Sequence, residues 1–281
     1  MKYLSLMFCR IAIGCLAALA VPATGQADEA HAPVRVSEVI FRAEFDGSRQ
    51  KYVTLTPPDL NLSQPVSLLI ALHGHGSDRW QFVRQSRGEC RAARDVATAN
   101  GMILVSPDYR AQTSWMGPAA EADMVQIIRT LKKQFQVQRV ILCGGSMGGT
   151  AALTLTARHP SLIDAVVSLN GTANLVNYTR FQDAIAASFG GTKQQVPDEY
   201  RKRSAEFFPQ QFTMPFASTS GGQDTVVPAD SVLRLIARVR VHNRKVLSIH
   251  RPHGGHSTSY KDTKQALEFV IAASLQRSSG S

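Results

Sequence analysis

Cysteine is scarce in this chain, with 4 in 281 residues, and aromatic residues make up only 7% of it. A cysteine-stapled scaffold is therefore excluded. Two of the four, Cys9 and Cys15, fall in the leading apolar stretch, which leaves Cys90 and Cys143. Cys143 closes a strand-like apolar run and Cys90 sits in an expected helix, a placement that predicts two buried thiols rather than a bridge. No apolar run reaches the roughly 20 residues that cross a bilayer, because Arg10 cuts the leading one down to Ile11–Val21, so no stable membrane insertion is expected. The histidines lack the H-E-x-x-H spacing and two cysteines cannot make a zinc site, so no metal is expected. Neither a G-x-x-x-x-G-K-[ST] loop nor a dinucleotide glycine fingerprint occurs, and no cofactor is expected.

Acidic residues are also in deficit, 21 against 31 basic. The basic residues are scattered rather than clustered and no base-stacking motif accompanies them, so no nucleic-acid partner is expected. Lys2, the apolar run and the small residues that follow read as an export signal over residues 1–27, cleaved after Ala27 or Gly25, which predicts a secreted or periplasmic protein. Cys15 makes a lipoprotein signal the lesser alternative, since Ala12 stands where leucine is usual. Without Lys2 and Arg10, 29 basic residues face 21 acidic ones, a net charge of +8.

What is present is 44% hydrophobic residues and 19% charged, enough to build one large domain over 28–281. Val34–Phe45 and Lys51–Thr56 flank an Asp46-Gly47 turn and predict an antiparallel hairpin. Short apolar runs then alternate with longer amphipathic ones. Strands are expected at Val66–Leu72, Met102–Ser106, Val140–Cys143, Ala165–Leu169, Phe216–Ser220 and Val246–His250. Helices are expected at Trp80–Asn100, Ala119–Phe135, Gly148–His159, Ser231–Val241 and Thr258–Leu275. This alternation implies an α/β fold, a mostly parallel central sheet with helices on both faces. Residues of about 171–211 break the pattern, being polar and punctuated by glycine and proline, and read as a small inserted cap.

Gly144-Gly145-Ser146-Met147-Gly148-Gly149 satisfies G-x-S-x-G between an expected strand and an expected helix. A serine on such a turn is held clear of the sheet, while the helix N-terminus behind it favours a developing oxyanion. Ser146 is the candidate nucleophile and the Met147 N–H a candidate oxyanion donor. His73-Gly74-His75-Gly76 follows an earlier strand, and its His75 N–H is the second candidate donor. His73 is expected to be structural. Trp115 and Asn170, on the carboxyl side of the sheet, are candidate substrate contacts, as is Tyr109, and packing alone would also account for each.

These motifs and the alternating pattern resemble the α/β-hydrolase superfamily over essentially the whole mature chain. The Gly-Gly-Ser-Met-Gly-Gly segment is similar to that of prolyl-oligopeptidase-type enzymes and of secreted feruloyl and polyhydroxyalkanoate-depolymerase-like esterases. The resemblance implies the chain order Ser, acid, His. It places the acid at Asp224, in Gly221-Gly222-Gln223-Asp224-Thr225-Val226-Val227-Pro228, and the base at His256, in His253-Gly254-Gly255-His256. Asp108, Asp123 and Asp164 are the less well placed acids, and His253 is the alternative base.

Serine needs a base to become nucleophilic near neutral pH, and imidazole oriented by a carboxylate supplies one. The expected activity is cleavage of a carboxylic ester through an acyl-enzyme on Ser146, the substrate being a small-molecule or polymer ester such as acylated carbohydrate or polyester. A serine peptidase is the alternative, although the chain is too short for a peptide-screening propeller and no acidic clamp for an amine is evident. A non-catalytic binding module on the same scaffold is the third. Oligomeric state is not legible.

Overall fold

In the computed structural model the described residues are 34–275. The expected export signal over 1–27 lies outside them. The chain opens with β1 (Arg35–Arg42) and β2 (Arg49–Thr56), an antiparallel hairpin. Its turn is closed by Asp46, whose Oδ1 accepts the Ser48 N–H at 3.0 Å, and by Gly47 at a φ of 72°. Then come β3 (Val66–Leu72), α1 (Gln81–Arg84), α2 (Gly88–Ala99), β4 (Met102–Pro107), α3 (Pro118–Gln134), β5 (Val137–Gly145), α4 (Met147–Arg158) and β6 (Ala165–Leu169). The chain continues through α5 (Gln182–Phe189), α6 (Pro197–Lys202), β7 (Phe216–Gly221), α7 (Asp230–Val239), β8 (Val246–Arg251) and α8 (Tyr260–Leu275).

The strands form one eight-stranded sheet in the order β1-β2-β4-β3-β5-β6-β7-β8, antiparallel at β1/β2 and β2/β4 and parallel from β4 to β8. Every residue of β3 is buried, and its side chains divide by parity. Leu68, Ile70 and Leu72 join Met124, Ile128 and Leu153 of α3 and α4 on one face. Leu69 and Ala71 join Ala93 of α2 and Leu267 of α8 on the other. A strand buried on both faces must be apolar throughout, which is why the parallel strands read as unbroken hydrophobic runs. Cys90 and Cys143 are both free and buried in the second layer. Burial pushes the Cys90 thiol up to about 11 and the Cys143 thiol well above its usual value.

One expectation changes on folding. The single helix expected over Trp80–Asn100 is two, because Gln85 and Arg87 are extended and turn the chain between α1 and α2. Arg94 donates to the carbonyls of Phe82 and Gln85 at 2.8 and 3.0 Å, which satisfies the end of α1. Gly88 then starts α2 so close to the Tyr260 backbone that a Cβ there would lie 2.7 Å from the Tyr260 nitrogen. The segment of about 171–211 has no strand and carries α5, α6 and two short 3-10 turns. It is anchored on the sheet domain by Thr154, which donates to the Arg203 carbonyl at 2.8 Å, and by the Arg203–Glu121 ion pair at 2.7 Å.

The order β4-β3-β5 has a functional consequence. From β3 the chain crosses to β4 on one side, while β5 lies on the other and leads away to β6. Connections leaving in opposite directions open a crevice at the carboxyl ends of β3 and β5. Among the described residues no helix is long and apolar enough to cross a membrane.

Candidate active site

Ser146 stands in this crevice, between the last residue of β5 and the first of α4. Its φ of 57° and ψ of −119° lie where a non-glycine residue is strained, and the surroundings hold it there. The Ser146 N–H donates to the Leu169 carbonyl at 2.8 Å and its own carbonyl accepts the Thr150 N–H at 3.0 Å. A Cβ on Gly148 would fall on the Leu72 carbonyl oxygen, so only glycine lets α4 start this close to β3. The side chain of Met147 is buried, and its N–H lies in the unpaired first turn of α4.

His256 and Asp224 converge on the same point. The Ser146 Oγ lies 2.8 Å from His256 Nε2, and His256 Nδ1 lies 2.7 Å from Asp224 Oδ2. A carboxylate only accepts, so the proton is on Nδ1 and Nε2 accepts from the serine hydroxyl. Asp224 is buried, and its other oxygen accepts the N–H groups of Val226 and Val227 at 2.9 and 2.8 Å. The loops carrying the two residues are tied to each other. Gly222 donates to the Arg251 carbonyl and Gln223 to the Gly254 carbonyl, both at 2.9 Å. Asn170, at a φ of 51°, adds a side-chain brace, donating to Asp224 Oδ2 at 3.4 Å and to the Gly255 carbonyl at 3.3 Å. Its own oxygen accepts from Thr219 and Thr258.

The loop after β3 completes the crevice. A Cβ on Gly74 would lie 3.7 Å from Ser146 Cβ, which places the His73–His75 backbone beside the nucleophile. His73 is buried with Nδ1 2.9 Å from the Gly74 carbonyl and Nε2 3.1 Å from the Asp108 carbonyl, the structural role expected of it. Burial lowers the pKa of His75. Its Nδ1 accepts the Trp115 indole N–H at 3.1 Å, so its own proton sits on Nε2. Trp115 has no exposed surface and packs behind His75 and Phe181, beneath the wall rather than on it. The wall itself is the His75 ring stacked on Phe181, centroids 4.4 Å apart, with Phe181 36% exposed. Tyr109, Arg110, Trp115, Met116 and Phe181 all have positive φ, so strained backbone concentrates in the loop after β4 and in the segment facing it.

The competing residues are occupied elsewhere. Asp108 pairs with Arg79 at 3.0 Å and Asp123 with Arg110 at 2.8 Å, while Asp164 accepts the Val140 N–H at 2.9 Å. His253 is exposed, and His250 lies in β8 with Nδ1 2.9 Å from Ser220 Oγ. Sequence reasoning missed Gln81, whose Oε1 accepts the Gly74 N–H at 2.8 Å and so fixes the loop beside Ser146. It missed Glu89 as well, which lines the pocket at Ser146. Neither carries a motif, because each acts across the fold from inside an ordinary helical stretch. Among the described residues no cluster of His, Cys, Asp and Glu is arranged to hold a metal ion.

A strained serine at a strand-to-helix turn, hydrogen-bonded to a histidine at the crevice of a mostly parallel sheet, defines the class as serine hydrolases of the α/β-hydrolase fold. Within that class the chain belongs to the prolyl oligopeptidase family, whose model matches residues 94–274. Among curated proteins it is 38% identical over 122 residues to the sn-1-specific diacylglycerol lipase ABHD11 of Xenopus laevis, a match over 42% of this chain and 37% of that protein. The match thus spans well under half the length of that relative. Among solved structures it is similar to a puromycin hydrolase, with a TM-score of 0.68 and 18% identity, over 86% of this chain and 39% of the other. It is similar also to a ferulic acid esterase, with a TM-score of 0.64 and 17% identity, over 86% of this chain and 97% of the other.

Proposed function

We propose that the protein is an exported esterase that cleaves carboxylic esters through an acyl-enzyme on Ser146. His256 Nε2 takes the hydroxyl proton as Ser146 Oγ attacks the ester carbonyl, and Asp224 stabilises the imidazolium that forms. The N–H groups of Met147 and His75 receive the oxyanion. Collapse of the tetrahedral intermediate breaks the bond to the alcohol oxygen, which leaves with the proton from His256. Water then enters, gives its proton to His256 and its oxygen to the acyl carbon, and the carboxylic acid departs as Ser146 Oγ recovers a proton.

The observation that carries this is the unbroken hydrogen-bond chain from Ser146 through His256 to Asp224. Esters are favoured by the likeness to a diacylglycerol lipase and to a ferulic acid esterase of nearly this chain's own extent. The family match supports the second reading, a serine peptidase. Export rests on Lys2 and the apolar run that follows it. Acylated carbohydrate and polyester remain the proposed natural substrates.

The test uses purified protein with short p-nitrophenyl esters, aminoacyl anilides and a fluorophosphonate label. The wild type is expected to turn over the esters faster than the anilides and to take the label, and Ser146→Ala to do neither. Labelling that persists in Ser146→Ala overturns the nucleophile; faster anilide turnover overturns the esterase in favour of the peptidase.

A further inference from the structure

Of the buried charged groups that the mechanism does not use, one lies at the nucleophile's own pocket. Glu89, in the first turn of α2, is 5% exposed and lines the same pocket as Ser146, Asn170, His256 and Thr258. Its Oε1 lies 2.7 Å from Nε of Arg87, which borders the pocket while its side chain stays largely exposed. A glutamate in a first turn is favoured by the helix dipole, but that preference is met equally well by a carboxylate in open water. Here the glutamate is instead buried in the lining of the nucleophile's pocket, at the cost of desolvation.

We infer that Glu89 and Arg87 form the subsite for the leaving alcohol, and that it selects alcohols with further hydroxyl groups. The inference rests on the esterase reading. The side follows from the proton: His256 protonates the departing oxygen, so the alcohol must lie against the imidazole, and this pocket is lined by His256 and by Ser257 and Thr258 after it. The aromatic wall of His75 and Phe181 stands apart from it and is left for the acyl group. The chemistry follows from the charges. A carboxylate accepts hydrogen bonds and a guanidinium donates them, and the pair is neutral overall, so it matches neutral polyol hydroxyls better than an ammonium group.

Butyrate esters of glycerol, of p-nitrophenol, of choline and of choline's neutral carbon isostere test this. In Glu89→Gln the ratio of kcat/KM for the glycerol ester to that for the p-nitrophenyl ester is expected to fall about tenfold, mainly through KM. In Arg87→Met, which alters a largely exposed side chain, the carboxylate loses its counter-charge. Preference for the choline ester over its isostere is then expected to rise about fivefold. Ratios within twofold of wild type in both variants overturn the subsite while the esterase reading stands. Failure of the wild type to turn over any of the four esters overturns that reading and the subsite with it.

Discussion

Ser146 tolerates a backbone conformation that costs a non-glycine residue of the order of 1–3 kcal/mol. Hydrogen bonds to Leu169 and Thr150 on either side of it make relaxation impossible without opening β5 or α4. The geometry of Asp224 is equally over-determined, with two backbone N–H groups on one oxygen and the imidazole on the other. Asp224→Asn keeps the volume but offers an amide where the Nδ1 proton needs an acceptor, so the imidazole adopts the wrong tautomer. Its kcat on a p-nitrophenyl ester is expected to fall by roughly 10³–10⁴, with the thermal unfolding midpoint little changed. A loss below tenfold would show that the carboxylate does not orient the base. At this scale the sequence already carried the serine, because its signal is local. Asp224 and His256 were placed through a family resemblance, and Gln81, Glu89 and the bracing role of Asn170 were invisible.

Between elements, the tightest junction is the start of α4 against the end of β3. Gly148→Ala would set a methyl group on the Leu72 carbonyl, and backbone on both sides leaves no side chain to move aside. A loss of about 2 kcal/mol or more is expected, read as a lower urea midpoint with unchanged m-value, together with loss of ester turnover because Ser146 moves with the helix. An Ala variant of wild-type stability would mean that α4 slides without penalty. The hairpin, the parallel strands and most helices were legible, since each follows from periodicity within its own stretch of chain. The division of Trp80–Asn100 into α1 and α2 was not, because the bend serves a contact between Gly88 and Tyr260, far apart in sequence.

Across the molecule, two buried carboxylates respond to pH in opposite directions. Burial works to raise the Glu121 carboxyl, but the hydrogen bond from His159 and the charges of Arg203 and Arg158 outweigh it and hold it at about 2. Its stabilising contribution is therefore complete above its ordinary value of 4.5 and is lost as pH falls through 2. Burial raises Asp123 to about 6 against the pull of Arg110, and its Oδ2 has no hydrogen-bond partner. Its contribution is complete below 3.8 and is lost as pH rises through 6. These two groups alone predict greatest stability at about pH 4. In chemical denaturation across pH, Asp123→Asn is expected to flatten the decline between about pH 4 and 6, and Glu121→Gln the decline below pH 4. A pH profile unaltered by either substitution would mean that these carboxylates titrate alike in the folded and unfolded chains.

From its own letters the chain determined an α/β architecture, a nucleophile on a strand-to-helix turn and two thiols out of reach of solvent. Side-chain alternation, turn chemistry and helix starts act over a handful of neighbouring residues. Only folding brought residue 256 to residue 146 across 110 positions and to residue 224 across 32, because such meetings depend on strand order, not on any neighbouring residue. The same holds for the burial of Trp115 behind His75 and for the place of Glu89 in the lining of the serine's pocket. Each is decided by which helix covers which edge of the sheet, a property of the assembled layers.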